Sequence, residues 1–373
     1  MYNIKRIFVF IAVIAGIVIV AGSFVGEGVN DRAIIIGLGL DESDEGVRVT
    51  AEVISPSTGE QVGAFSKVVS ANGKTVAVAI KRIAEITGKE ASLGRCLLLV
   101  FGQRYFENRD LSDDIEFFIS SDSFKEGCNI CCCEGSAEDL FYKGAAFSQG
   151  VSLNLSSMFS SQSKQTAIVT NTLLDYTLSQ RNLSKTGFMN KVRFIPSDNQ
   201  SQDAPEQPQG FFDLNSIVIF SENKFLCELT DEENRGFALL NKDVIGSSFV
   251  SEADGTSQTV TVSTKDVSFK LTEDNSIECE LNLLGKVVRT DSADIEGVFV
   301  AQKNKELSQA VIDDVVAQAT DFVNALLNKQ RQYDFDIVKL HETIRRKEGS
   351  SKQLDELPTE DIKVELSVKF SEK

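Results

Sequence analysis

Arg32-Ala-Ile-Ile-Ile-Gly-Leu-Gly-Leu-Asp41 is followed, after a short acidic turn, by Gly46-Val-Arg-Val-Thr-Ala-Glu-Val-Ile54. Two β-branched, apolar-rich runs separated by turn residues read as a hairpin. Gly37-Leu-Gly39 lies inside the first run. A dinucleotide-binding turn would need a third glycine at position 42, which is Glu42, and a helix where a second strand follows. The glycines are therefore expected to mark a close approach of another element to the strand.

Downstream, strands and helices alternate. Residues 73–88 place Val76, Ile80, Ile83 and Ala84 at helical spacing, with Gly88 as the stop. Cys96-Leu-Leu-Leu-Val-Phe101 is a buried-strand run. Residues 112–121 form a helix with Ile115, Phe118 and Ile119 on one face and acidic residues at its start. Ser136-Ala-Glu-Asp139 opens a brief helix with a capping-box pattern, and 162–180 reads as a longer one. The segment from Pro196 to Gly210 holds three of the five prolines and no large apolar residue, as a linker or exposed loop does. Strands are expected at 217–220, 224–229, 259–271 and 277–288, with one helix at 231–240. Leu307, Val311, Val315, Phe322, Val323, Leu326 and Leu327 make a long amphipathic helix. A second amphipathic piece spans 336–346, and Ile362-Lys-Val-Glu-Leu-Ser-Val-Lys-Phe370 alternates as a half-buried strand.

Upstream of the hairpin, residues 7–26 read IFVFIAVIAGIVIVAGSFVG after Lys5 and Arg6. About twenty apolar residues suffice to span the hydrocarbon core, and cations on the N-terminal side place the body outside the cytoplasm. Val20-Ala-Gly-Ser23 also has the small residues of a cleavage site, so anchor and removable signal are both consistent with the run. The fold class expected is α+β: an N-terminal membrane helix, then a multi-domain extracytoplasmic body of mixed sheets flanked by helices. The divisions are 1–26, a first α/β domain at 27–195, the 196–210 linker, a strand-rich domain at 211–300, and a helix-helix-strand domain at 301–373.

Charge and composition narrow the function. Removing Lys5 and Arg6 from 38 basic residues leaves 36 against 55 acidic, a formal charge of −19 on the body. Such a surface is repelled by phosphate backbones, which excludes nucleic acid as a partner. Seven cysteines, four of them in Cys128-Asn-Ile-Cys131-Cys132-Cys133, form no paired zinc elements. They read as a buried strand with Cys128, Ile130 and Cys132 on one face and Cys131 and Cys133 on the other. The single histidine, His341, is read as solvent-facing on a charged helix. Acidic neighbours such as Asp113-Asp114 and Asp313-Asp314 point apart on helices. No catalytic, cofactor-binding or metal site assembles, no cofactor is implied, and a non-enzyme is expected.

Three blocks, in order, carry a family resemblance. Arg32 to Asp41 with its partner strand is one. Phe220-Ser-Glu-Asn-Lys-Phe-Leu-Cys-Glu-Leu-Thr-Asp-Glu-Glu-Asn-Arg-Gly236 is the most specific, and Asn328-Lys-Gln-Arg-Gln-Tyr-Asp-Phe-Asp-Ile337 is the third. Together they resemble the Ger(x)C family, the C subunits of bacterial spore germinant receptors. The resemblance implies a non-catalytic subunit on the outer face of the inner spore membrane, beside A-type and B-type integral-membrane subunits. A membrane-tethered binding protein for a small solute or envelope polymer is the alternative. Members of that family are typically lipoproteins, and here Val20, Ala21, Gly22 and Ser23 form a degenerate lipobox with Ser23 in the cysteine's place. A hydroxyl does not supply the thioether, and the tryptophan common near the family's C-terminus is also missing, since the chain has none. Retention of the uncleaved helix is then what keeps the body at the membrane. Ser23→Cys is expected to restore labelling by a radiolabelled fatty acid, with the unsubstituted chain unlabelled under the same conditions.

Overall fold

A computed structural model describes residues 32–55, 65–144, 150–165, 169–196, 210–241, 245–253, 257–272, 276–291, 307–342, 345 and 364–372. The span expected at 7–26 lies outside these residues. Among them, no helix is long and apolar enough to cross a membrane.

The large sheet is built around the opening hairpin. β1 (Arg32–Ser43) pairs antiparallel with β2 (Gly46–Ser55), which pairs antiparallel with β3 (Phe65–Gly73). On its other side β1 runs parallel to β4 (Glu90–Ser92) and β5 (Leu98–Phe101). The sheet continues in parallel through β6 (Asn129–Cys133) to β7 (Thr186–Pro196). It ends with antiparallel β8 (Gly210–Ser221) and β9 (Lys224–Glu228). β7 and β8 flank the expected linker, so the division placed at 196–210 falls between two paired strands of one sheet.

Helices cover both faces of this sheet. α1 (Val76–Thr87), α2 (Gln103–Asn108), α3 (Ser112–Ile119) and α6 (Leu173–Arg181) bury Ile80, Ile83, Tyr105, Phe106, Phe118 and Tyr176 on one face. α4 (Ala137–Gly144) and α5 (Gly150–Gln165) bury Leu140, Phe141, Val151, Leu155 and Phe159 on the other. A bulge between Ile35 and Gly37 shifts the alternation of β1 by one residue, so Gly37 and Gly39 face the second layer. Ala33, Ile35, Leu38 and Leu40 all face the first layer. The cysteine strand divides as its alternation requires: Cys128, Ile130 and Cys132 lie in the first layer, Cys131 and Cys133 in the second.

A second, four-stranded sheet has the order β10 (Ile245–Ser251), β11 (Ser257–Leu271), β12 (Ile277–Asp291), β13 (Val364–Glu372). β13 is parallel to β12, which requires a crossover. The crossover contains α8 (Gln309–Tyr333). Its Val311, Val315, Ala319, Val323 and Leu327 pack on Val260, Val262, Cys279, Leu281 and Leu283. α7 (Asp231–Leu239) stands between the two sheets.

Two helical expectations are corrected. The region read as one helix at 162–180 belongs to two, α5 ending at 165 and α6 starting at 173. Thr172 forces the new start: its hydroxyl accepts the Asp175 N–H in a capping box, and the residue bridges Asn129 of the sheet. The piece expected as a helix over 336–346 starts later than expected: 336–339 form a turn, 340–342 and 345 have helical backbone, and 343, 344 and 346 lie outside the described residues.

Gly37 and Gly39 have the role their position in the strand implied. A Cβ on Gly37 would lie 1.9 Å from Ser152 Oγ, and one on Gly39 would lie 2.8 Å from Ala137 Cβ. These contacts come from α5 and α4 seated directly on β1. Ser152 is itself held by Glu52 and has no room to yield. Gly37→Ala is therefore expected to destabilise the body by about 3 kcal/mol, read as a lowered midpoint in urea unfolding. Gly127→Ala is the control, because the nearest atom to its added Cβ is 3.7 Å away.

Candidate functional site

Among the described residues, two places that concentrate polar chemistry differ in kind. The first is a crevice of about 460 Å³ at the carboxyl ends of β1, β5 and β6, lined by Asp41, Glu42, Gln103, Arg104, Glu107, Gly135 and Ser136. Ligands commonly bind at this position in open α/β sheets. Here the lining groups are largely engaged by the chain itself. Asp41 Oδ1 and Oδ2 accept the N–H groups of Ala137 and Glu138 at the start of α4, both at 2.8 Å. Gln103 Oε1 accepts the Gly135 N–H at 3.2 Å, and its amide donates to Glu107 at 2.9 Å. Ser136 Oγ accepts the Asp139 N–H at 3.0 Å. Burial pushes the Asp41 carboxyl above the usual aspartate range, against the two backbone donors that pull it down.

The second place is the joint between the sheets. Ile217, Ile219, Cys227 and Leu229 of the large sheet meet Phe237 and Ala238 of α7, Leu326 of α8, and Phe335 and Ile337 beyond it. α7 is started by a complete capping box: Thr230 Oγ1 accepts the Glu233 N–H, and Glu233 accepts the Thr230 N–H. Lys329 of α8 lies 3.8 Å from Glu233 in a largely buried ion pair. The Arg235 guanidinium lies 5.3 Å from the centre of the Phe322 ring. Gly236 lets the helices touch, since a Cβ there would sit 2.2 Å from the Phe322 carbonyl oxygen.

Asp336 completes the joint. Its carboxylate accepts the N–H groups of Leu340 at 2.7 Å and His341 at 2.9 Å, closing the turn after α8. Its own N–H donates to Thr186 Oγ1 of β7 at 3.2 Å, and buried Gln330 accepts the Ile337 N–H at 3.1 Å. His341 is not solvent-facing as expected: Nδ1 lies 2.8 Å from Asp336 Oδ2 and the side chain is only 13% exposed. The carboxylate that caps the turn also draws the ring inward.

The seven cysteines are free and buried. Burial raises the Cys227 thiol to about 11 and Cys279 to about 12, so neither forms an appreciable thiolate near neutrality. Among the described residues no group of three or more His, Cys, Asp or Glu side chains is placed to hold a metal ion. Val20, Ala21, Gly22 and Ser23 lie outside the described residues. Sequence reasoning singled out the segments at the joint, but the pairing of Asp336 with His341 and Thr186 carries no local signal.

The described residues form a two-sheet α+β body in which many buried polar groups bond one part of the chain to another. The chain belongs to the Ger(x)C family of spore germination proteins. The family model described as "Spore germination protein N-terminal domain" matches residues 27–192, and "Spore germination B3/ GerAC like, C-terminal" matches residues 215–371. A solved structure titled "Crystal Structure of the GerBC protein" is similar over 90% of this chain and 96% of that one, with a TM-score of 0.53 and 14% identity. At that identity the likeness is one of fold. No curated protein matches the chain.

The second and third resemblance blocks are thus the two sides of one joint. Gly236→Ala is expected to part α7 from α8. Amide exchange at Gln330, Ile337 and Leu340 should then accelerate at least tenfold relative to the unsubstituted chain, while exchange in β1 stays unchanged.

Proposed function

We propose that this chain is the non-catalytic extracytoplasmic C subunit of a nutrient germinant receptor. It acts beside A-type and B-type integral-membrane subunits at the inner spore membrane, held there by the apolar run at 7–26. The observation that carries the reading is the tandem family match over 27–192 and 215–371. The placement of the resemblance blocks supports it. They sit at the buried strand β1 and at the joint between sheets, where they build the body, and two of them contribute nothing to the crevice. A subunit that works through contact with neighbours needs a stiff body more than a reactive cluster.

The test is genetic. Deleting the gene in its spore-forming host is expected to abolish the response of dormant spores to at least one nutrient while sporulation proceeds normally. Normal germination across a broad nutrient panel, in a host with no second receptor of this kind, would contradict the proposal.

A further inference from the structure

We propose that the end of the large sheet where β1, β4 and β6 begin is the surface that faces the lipid bilayer. The inference rests on the membrane-held reading given above and adds an orientation to it. β1 starts at Arg32, and its first residues pair in parallel with β4 from Glu90. Only residues 27–31 separate this strand from the apolar run. Five residues span at most roughly 18 Å in any conformation, so whatever surrounds Arg32 must lie close to the membrane surface.

Several separate pieces of chain converge at this end. The last turn of α1 leads directly into β4. The loops at 93–97 and 121–128 touch, since a Cβ on Gly94 would lie 3.3 Å from the Ser123 carbonyl oxygen. The start of α6 is tied to the second loop: the Leu173 and Leu174 N–H groups donate to the Cys128 and Glu126 carbonyls at 2.9 and 3.0 Å. Two large apolar side chains stand out from this end, Ile86 at 62% exposure and Leu174 at 37%.

Arg32, Lys89, Arg95 and Lys125 stand there with Glu85, Glu90, Asp122, Glu126 and Asp175, and the linking residues add Glu27 and Asp31, so this end is mildly acidic within a body of formal charge −19. The opposite end carries Asp44 and Glu45 in the β1–β2 turn, where Arg82 pairs with Glu45 at 2.9 Å, and Glu42 and Glu107 beside Arg104 at the crevice. Tether length and the two exposed apolar side chains therefore select this end, and the crevice, at the carboxyl ends of β1, β5 and β6, lies away from the membrane.

The experiment uses the full chain in vesicles of phosphatidylethanolamine and phosphatidylglycerol. A fluorophore is attached at Gly127→Cys, in the loop at the proposed end, or at Glu107→Cys, at the opposite end. The native cysteines are all buried and do not compete for the label. Headgroup-nitroxide lipids are expected to quench the label at position 127 several-fold more than the label at 107. Equal quenching, or stronger quenching at 107, in a chain that floats with the vesicles overturns the orientation and leaves the tether standing. A chain that does not float with the vesicles overturns the tether and the orientation together.

Discussion

Two carboxylates buried inside the large sheet hold its second face in place. Glu52 of β2 accepts the N–H groups of Val151 and Ser152, at 3.0 and 2.8 Å, and the Ser152 hydroxyl. Asp41 of β1 does the same for the start of α4. Each carboxylate satisfies otherwise orphaned donors in the first turn of a helix and meets the positive end of its dipole. A hydrogen bond to a charged group contributes about 1.5–3 kcal/mol, so these bonds position α4 and α5 firmly. The same bonds explain Gly37 and Gly39: helices pinned to β1 and β2 leave no room for a side chain between them. Burying an acid is costly unless all of its acceptors are used, and here the helix starts use them.

The joint between the sheets follows similar logic at a larger scale. Thr230 and Glu233 start α7, Gly236 brings it against α8, and Asp336 folds the chain after α8 back to β7. A small interface made only of surface ion pairs would leave the second sheet free to swing. An apolar cluster joined by backbone-to-carboxylate bonds does not. The two halves matched by separate family models therefore form one structural piece, and the large sheet itself crosses from one half to the other at β7 and β8.

Much of this was legible in the sequence because it is local. The opening hairpin, the buried Cys96–Phe101 run, the cysteine strand and the long α8 each carry their own periodicity, and the capping pattern at 136–139 marks a true helix start. Other features depend on contacts distant in sequence. α5 is masked by its serines, including Ser152, which is fully buried because Glu52 receives it. β10 reads Ile-Gly-Ser-Ser-Phe-Val-Ser and gains its identity only by pairing with β11. His341 looked like a surface residue because Asp336, five positions earlier, gives no sign in sequence of being buried. The crevice at the ends of β1, β5 and β6 follows from parallel strand order, which no single segment encodes.

The functional account makes this stiff, acidic body a member of a membrane assembly. The most direct measurement is purification of a C-terminally tagged chain from the inner membrane of dormant spores in mild detergent. The account predicts that A-type and B-type membrane subunits co-purify with it in fixed proportion. Recovery of the chain alone from that membrane, or from the soluble fraction without those subunits, would contradict it.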